Sequence, residues 1–156
     1  MSDGKAPDAI ISLEKRFIDA FVAGEKCVEL RRRRPDLTSG TRIWFYSKVP
    51  EGKVRAYGIL KSILELSAAA IWERFGNCLA ISESELTEYL GGRDVGYVLQ
   101  FSEVREVSEP VHLYDIRKVQ PNFQPPQFFV YVRSDPLGSL LEALPIESAP
   151  ASHPLS

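Results

Sequence analysis

The stretch GEKCVELRRRRP, residues 24–35, concentrates side chains that could bind or transform an anionic ligand. It places Lys26 and the run Arg31–Arg34 around Glu29 and Cys27. Guanidinium groups suit phosphate because their donors form a planar fork. A buried lysine beside a carboxylate and further cations can have its pKa tuned for base work. The stretch is therefore either one wall of a binding site or a charged strand that faces solvent.

A strand over these residues would separate apolar from polar side chains. Val28 and Leu30 fall on the side expected to face the core, and Glu29 and Arg31 fall on the other side. Lys26 shares the parity of Val28, but it stands at the first position of the strand. From there its ammonium can reach the mouth of a barrel or curved sheet.

The arginines are not equal candidates. Arg31 and Arg32 are expected to contact phosphate, and Glu29 is either a structural ion-pair partner or an acceptor for an N–H group of a base. For Arg33 and Arg34 only their charge suggests a function, and solvation explains them equally well.

Five further residues are candidates because they stand at strand or turn ends. Ser12 ends the first strand, Tyr46 and Ser47 end the third, and Tyr97 begins a later one. Gln127 follows two prolines, and its amide can pair with a base edge. An aromatic ring at such a position can stack a base. The alternatives are core packing for the aromatic residue, and ordinary strand-end or turn roles for the others.

The elements that must position these residues follow from apolar periodicity and from glycine, proline and capping signals. They predict the order β-α-β-β-β-α-α-β-turn-β, followed by a terminal helix over residues 135–144. Gly24 ends the first helix, and Ser82 with Glu85 forms a capping box for another. This order predicts an α+β fold: a small mixed β-barrel, or curved sheet, of about six strands with flanking helices.

Composition bounds the class of protein. The 156 residues, 44% hydrophobic and 26% charged, predict one globular domain. Residues 1–62 carry 13 Lys and Arg against 8 Asp and Glu, whereas residues 63–156 carry 6 against 13. The net charge of -2 therefore disfavours indiscriminate polyanion binding but leaves room for a local anion site.

The sequence contains no pattern typical of a metal site, a disulfide framework or a membrane span. Cys27 and Cys78 have no metal-ligand spacing and do not form a disulfide framework, and neither His112 nor His153 has a partner by spacing. We therefore expect no metal and no cofactor. With no apolar run long enough for a membrane span and no secretory signal pattern, we expect a reduced, cytoplasmic protein without membrane contact.

Residues 9–35, AIISLEKRFIDAFVAGEKCVELRRRRP, resemble the opening of the ASCH family, a branch of the PUA-like superfold. The shared pattern is a strand, an amphipathic helix and then G-x-K-x-x-E-[IL]-R, which Gly24, Lys26, Glu29, Leu30 and Arg31 supply in register. The likeness continues in RIWFYSKVPEGKVRAYGIL, IWERF, SESELTEYLGG and PPQFFVYV and covers about residues 9–132. It divides the chain into a disordered tail (1–8), an ASCH domain (9–133) and a C-terminal extension with a disordered end (134–156).

The resemblance implies a barrel of about six strands with a cleft that binds RNA or a modified nucleoside or nucleotide. Some family members resemble amidohydrolases that deacylate N4-acylated cytidine with Lys, Thr and Glu, and others are linked to ribonuclease activity or to transcription coactivation. Lys26 matches the lysine of the amidohydrolases, whereas Glu29 stands where their threonine would be. Neither Glu83 nor Glu85 can be assigned to the glutamate.

These observations leave three hypotheses. The first is an RNA or modified-nucleotide binding domain with a basic cleft. The second is a small hydrolase, an N4-acylcytidine amidohydrolase or a ribonuclease, that uses Lys26 and Glu29. The third is a protein-interaction module whose cleft has no ligand.

Overall fold

A computed structural model of the protein describes residues 6–133 and 135–148. The expectations for residues 1–5 and for the end of the chain from residue 149 lie outside these ranges. The described elements, in chain order, are β1 (Asp8–Leu13), α1 (Lys15–Val22), β2 (Val28–Arg31), β3 (Arg42–Ser47), β4 (Lys53–Leu66), α2 (Ala68–Phe75), α3 (Glu83–Leu90), β5 (Gly96–His112), α4 (Leu113–Val119), β6 (Val130–Val132) and α5 (Leu137–Glu142).

The six strands form one mixed sheet in the order β2-β5-β4-β3-β1-β6. The β1–β3 pair is parallel, and the other neighbouring pairs are antiparallel. The α+β class and the six strands agree with the sequence analysis. The sheet is not closed into a barrel, because β2 and β6 are its two edges and do not pair with each other.

Two long strands, β4 and β5, pair with each other inside the sheet and bend it. Their pairing shifts register at three places, and such bulges increase local twist and curvature. Gly58 lies where β4 passes the ring of Phe101. A Cβ at Gly58 would be 2.6 Å from that ring, so a side chain there would force the ring or the backbone to move.

Three apolar clusters hold the helices on the sheet. The first joins α1 to β1, β3, β4 and β5 and includes Phe21, Phe45 and Phe101, whose rings pack on one another. The second places α4 and α5 around Trp44. The third packs α2 and α3 against Val28 of β2 and its neighbours. Burial on both faces explains why most strand residues are apolar.

The helix ends follow the capping signals of the sequence. Ser82 and Glu85 form the expected capping box, and Gly91 takes the left-handed conformation that ends α3. Gly24, also at positive φ, lies two residues beyond α1. The chain then turns sharply from α1 into β2, which brings Lys26 under the helix.

The two cysteines differ from the expectation. Cys27 and Cys78 are joined by a disulfide with a Cα–Cα separation of 5.4 Å, and the Cys27 amide donates to the Cys78 carbonyl oxygen. The expectation of reduced cysteines is therefore wrong in this structure. The spacing of the two cysteines does not predict the disulfide, because they are 51 positions apart in the sequence. The packing of α2 and α3 on β2 brings them together.

Both ends of the described chain are tied to the sheet. β1 begins at Asp8, one residue earlier than expected, and the Asp8 carboxylate accepts hydrogen bonds from Arg42 and Trp44. Leu137 and Leu141 of α5 are buried in the cluster around Trp44.

The proposed domain boundary at residues 133 and 134 stays a prediction. Among the described residues, no helix has the length and hydrophobicity that a membrane crossing requires.

Candidate functional site

A cavity of about 370 Å³ opens where the ends of β1 and β2 meet α1 and α3. Six of the residues selected from the sequence line it: Ser12, Lys26, Glu29, Arg31, Arg32 and Gln127. They come from three separate segments of the chain. The curvature of the sheet therefore assembles a site that no single segment contains.

Lys26 is the most deeply buried charged group of this cavity, with 2% of its surface exposed. Its ammonium donates to the Leu79 carbonyl oxygen at 2.7 Å and lies 4.7 Å from the centroid of the Phe17 ring. Burial lowers the pKa of Lys26 from 10.5 to about 8, although the negative charge of Glu29 acts in the opposite direction. Near neutral pH the site thus holds a cation that can lose its proton readily.

Glu29 and Arg31 form a buried ion pair with 3.0 Å between Oε2 and Nε. The Arg31 guanidinium also donates to the carbonyl oxygens of Ser12, at 3.3 Å, and Phe128, at 3.4 Å. These bonds connect β2 at one edge of the sheet with β1 and the segment before β6 near the other edge. Arg31 therefore links the two sides of the curved, open sheet through hydrogen bonds, and it also lines the cavity.

Ser12 offers an unused polar group. Its residue is 7% exposed and lines the cavity, and its hydroxyl has no hydrogen-bond partner within the residues that the structure describes. Buried hydroxyls are normally hydrogen-bonded, and an exception in a cavity suggests that a ligand or water completes it. Ser12 thus places a buried hydroxyl without a described partner next to the cavity.

Positively and negatively charged side chains line the cavity in nearly equal numbers. Five cationic and four anionic side chains line the cavity: Arg16, Lys26, Arg31, Arg32 and Lys48, with Glu14, Glu29, Glu85 and Glu88. Arg16 pairs with Glu14 and Glu85, with separations of 3.2 Å and 3.1 Å. The cleft is consequently less basic than the arginine run suggested, because four carboxylates also line it and two of its five cations, Arg16 and Arg31, are paired with them.

Comparison with known proteins agrees with the resemblance seen in the sequence. The profile of a family described as a domain of unknown function (DUF365) matches residues 9–128. An ASCH domain-containing ribonuclease of Zymomonas mobilis is 30% identical over 128 residues, which are 82% of this chain and 86% of the relative. The chain belongs to the ASCH family.

Solved structures extend the match to three dimensions. The crystal structure of ASCH from Zymomonas mobilis superimposes with a TM-score of 0.81 at 29% identity, covering 88% of this chain and 96% of the other. A tyrosine-to-phenylalanine variant of the same protein gives a TM-score of 0.81 at 28% identity, with 88% and 99% covered. The fold of this ASCH chain is therefore that of its family.

Three of the selected residues are not brought to the cavity of the ASCH domain. Tyr46 is 1% exposed and packs in the cluster around Trp44, and Ser47 is fully buried beside it. Tyr97 pairs with Arg31 across the β2–β5 ladder and does not line the cavity. Strand ends suggested exposure, but β3 lies between β4 and β1 and both of its faces are covered.

The selected set also omitted residues that do line the cavity, among them Arg16, Phe17 and Lys48, and Tyr89 lines it as well. Arg16 and Phe17 come from the first turn of α1, and Lys48 follows β3. Tyr89 lies four positions after Glu85 on α3, so both side chains share one face of the helix. The i, i+4 spacing in the sequence places Glu85 and Tyr89 on one face of a helix. It does not show which part of the protein this face contacts.

Metal-ligating groups are not clustered in the described ranges, where no set of three or more His, Cys, Asp or Glu side chains could hold an ion. The chemistry available to the cavity from these residues is therefore that of its lysine, guanidinium, carboxylate and hydroxyl groups.

Proposed function

We propose that this ASCH domain binds RNA by taking one nucleotide into the cavity at Lys26. The observation that carries the proposal is the buried Lys26 ammonium, which has one hydrogen bond among the described residues and lines a cavity that the Ser12 residue also lines. A phosphate or a base carbonyl would supply the missing acceptor.

The size and charge of the cavity favour a single nucleotide over a long stretch of backbone. Its volume of about 370 Å³ lies within the range of roughly 300–1,000 Å³ that is usual for small-ligand pockets. With Arg16 and Arg31 already paired with carboxylates, Lys26, Arg32 and Lys48 are left among the described lining residues to neutralise phosphate. Binding by three cations predicts a modest salt dependence, with a log–log slope of about −2 for a single strand.

RNA is the favoured nucleic acid because a relative of 30% identity is named a ribonuclease. The location expected from the sequence, the cytoplasm, fits an RNA ligand and stays a prediction.

A second candidate function, RNA or nucleoside hydrolysis, is favoured by the lowered pKa of Lys26. A lysine with a pKa of about 8 is partly neutral near physiological pH, as a general base must be. Glu29 would assist by orienting water or the ammonium. The candidate reactions are cleavage of a phosphodiester and removal of an acyl group from N4-acylated cytidine.

The binding proposal is tested with fluorescently labelled single-stranded RNA titrated by fluorescence anisotropy at low salt. Lys26→Met is expected to weaken binding roughly 10-fold or more, because a charge-assisted hydrogen bond contributes about 1.5–3 kcal/mol. Lys61→Met is the matched control, since Lys61 is exposed and lies outside the cavity. Equal affinities of wild type and Lys26→Met would contradict the proposal.

The hydrolysis candidate requires a separate measurement. Wild type and Lys26→Met are incubated with single-stranded RNA and with N4-acetylcytidine, and products are separated by electrophoresis and chromatography. Product formation by wild type alone would support catalysis by Lys26. Equal product from both proteins, or none from either, would exclude it while leaving the binding proposal intact.

A further inference from the structure

We propose that Tyr89 and Arg32 form a clamp that stacks one nucleobase at the rim of the cavity, with the base lying between the phenol ring and the guanidinium plane. The inference deepens the proposed RNA-binding function and rests on it. It assigns a base-recognition role to a side chain, Tyr89, that the GxKxxE[IL]R pattern does not include.

Tyr89 is held in one orientation by its surroundings. It lies near the end of α3, whose neighbouring residues Leu86 and Leu90 are buried in the cluster against β2. The Tyr89 hydroxyl donates to the Leu30 carbonyl oxygen at 3.3 Å. Burial raises the pKa of Tyr89, so the hydroxyl remains a donor over the neutral range. The ring therefore presents a fixed flat wall to the cavity.

The ring packs against the apolar cluster of α2, α3 and β2, and it also contacts a guanidinium. The Cζ atom of Arg32 lies 5.0 Å from the ring centroid, and the Arg32 residue is exposed. Arg32 has no carboxylate partner among the ion pairs of the described residues. A contact of this kind at an exposed position is weak, so Arg32 can leave the ring at low cost.

A nucleobase fits this arrangement chemically. Unstacked bases of single-stranded RNA are bound by stacking on aromatic rings and on guanidinium planes, and here both partners are already in contact at the rim of a cavity. Opening the contact would admit a base, with Tyr89 on one face and Arg32 on the other. Lys26 lies deeper in the same cavity, where it can contact the phosphate or a polar edge of the same nucleotide.

The clamp is tested by anisotropy titrations of wild type and two Tyr89 variants with single-stranded RNA. Tyr89→Leu is expected to weaken binding by on the order of 10-fold, because one stacking contact is lost. Tyr89→Phe keeps the ring and is expected to stay within about 2-fold of wild type. Tyr114→Leu is the matched control: Tyr114 on α4 also carries a cation over its ring, from Lys118, but does not line the cavity.

Variants of Arg32 keep the test decisive if Tyr89→Leu fails to fold. Arg32 is exposed, so its replacement should leave the fold intact. Arg32→Lys keeps the charge and removes the plane, and it is expected to weaken binding several-fold. RNA in which 2-aminopurine replaces one base should show fluorescence quenching with wild type that is lost with Tyr89→Leu or Arg32→Lys.

The outcomes separate this inference from the proposed function. If Lys26→Met weakens RNA binding while Tyr89→Leu and Arg32→Lys bind like wild type, the clamp is overturned and RNA binding stands. If Tyr89→Phe loses as much affinity as Tyr89→Leu, the hydroxyl and not stacking is responsible, and the clamp is again overturned. If wild type does not bind RNA, the proposed function itself fails.

Discussion

Replacing Lys26 with methionine is expected to stabilise the folded protein at neutral pH, although it removes a hydrogen bond. The pKa of Lys26 falls from 10.5 to about 8 on folding, which corresponds to a penalty of roughly 3 kcal/mol for keeping the ammonium charged in the cavity. Methionine removes this penalty but leaves the Leu79 carbonyl oxygen without its partner, at a cost of about 1–3 kcal/mol. The expected net gain at pH 7 is about 1 kcal/mol.

The dependence on pH gives the sharper test. Between pH 8 and pH 10.5 the unfolded chain binds a proton at Lys26 more readily than the folded protein, so the stability of wild type rises with pH in this window. Below pH 8 both states are protonated and the full penalty is present. The advantage of Lys26→Met should therefore shrink by roughly 2 kcal/mol from pH 7 to pH 10.

Urea unfolding followed by circular dichroism at pH 7, 8, 9 and 10 measures this difference. Taking the difference between two proteins cancels the titration of every other group that behaves alike in both. Lys61→Met serves as control, because Lys61 is exposed and its replacement should give a constant offset. Parallel stability profiles of wild type and Lys26→Met over pH 7–10 would refute the assignment of a depressed pKa to Lys26.

Three further outcomes are expected. RNA affinity should fall as the pH rises through about 8, where Lys26 loses its proton, and binding curves that are flat from pH 7 to 9.5 would contradict this. Arg31→Met should cost about 3–5 kcal/mol in urea unfolding, because it leaves Glu29 buried without its partner, and Glu29→Gln in the same chain should recover much of the loss. Reduction of the Cys27–Cys78 disulfide, which closes a loop of 51 positions, should lower the free energy of unfolding by up to about 4 kcal/mol. Two free thiols in the denatured, unreduced protein would exclude that bond.

Much of the secondary structure could be read from local signals. The capping box of Ser82 and Glu85 begins α3 as expected, since caps depend on a few adjacent residues. The local signals did not decide whether the sheet closes into a barrel, and the sheet is in fact open. Apolar alternation shows which side of a strand faces the core, but not whether the two edges of a sheet will meet.

The candidate site was predictable to the extent that it is local. Lys26, Glu29 and Arg31 stand within six residues, and the glycine turn and the strand that follow α1 direct all three toward the cavity. Tyr46 shows the limit of this reasoning. It ends a strand, as Ser12 does, but the position of β3 inside the sheet buries its ring, whereas Ser12 at the end of β1 reaches the cavity.

The sequence by itself determined the order of the elements, the family and the charged residues of one wall, because these depend on short-range spacing and on a contiguous pattern. Only the tertiary structure decided the opposite wall. Tyr89 comes from α3 and lies 63 positions after Lys26, and the packing of α2 and α3 on β2 sets their meeting. The same packing joins Cys27 to Cys78 and buries Lys26 against Leu79, and that desolvation is the physical cause of its lowered pKa.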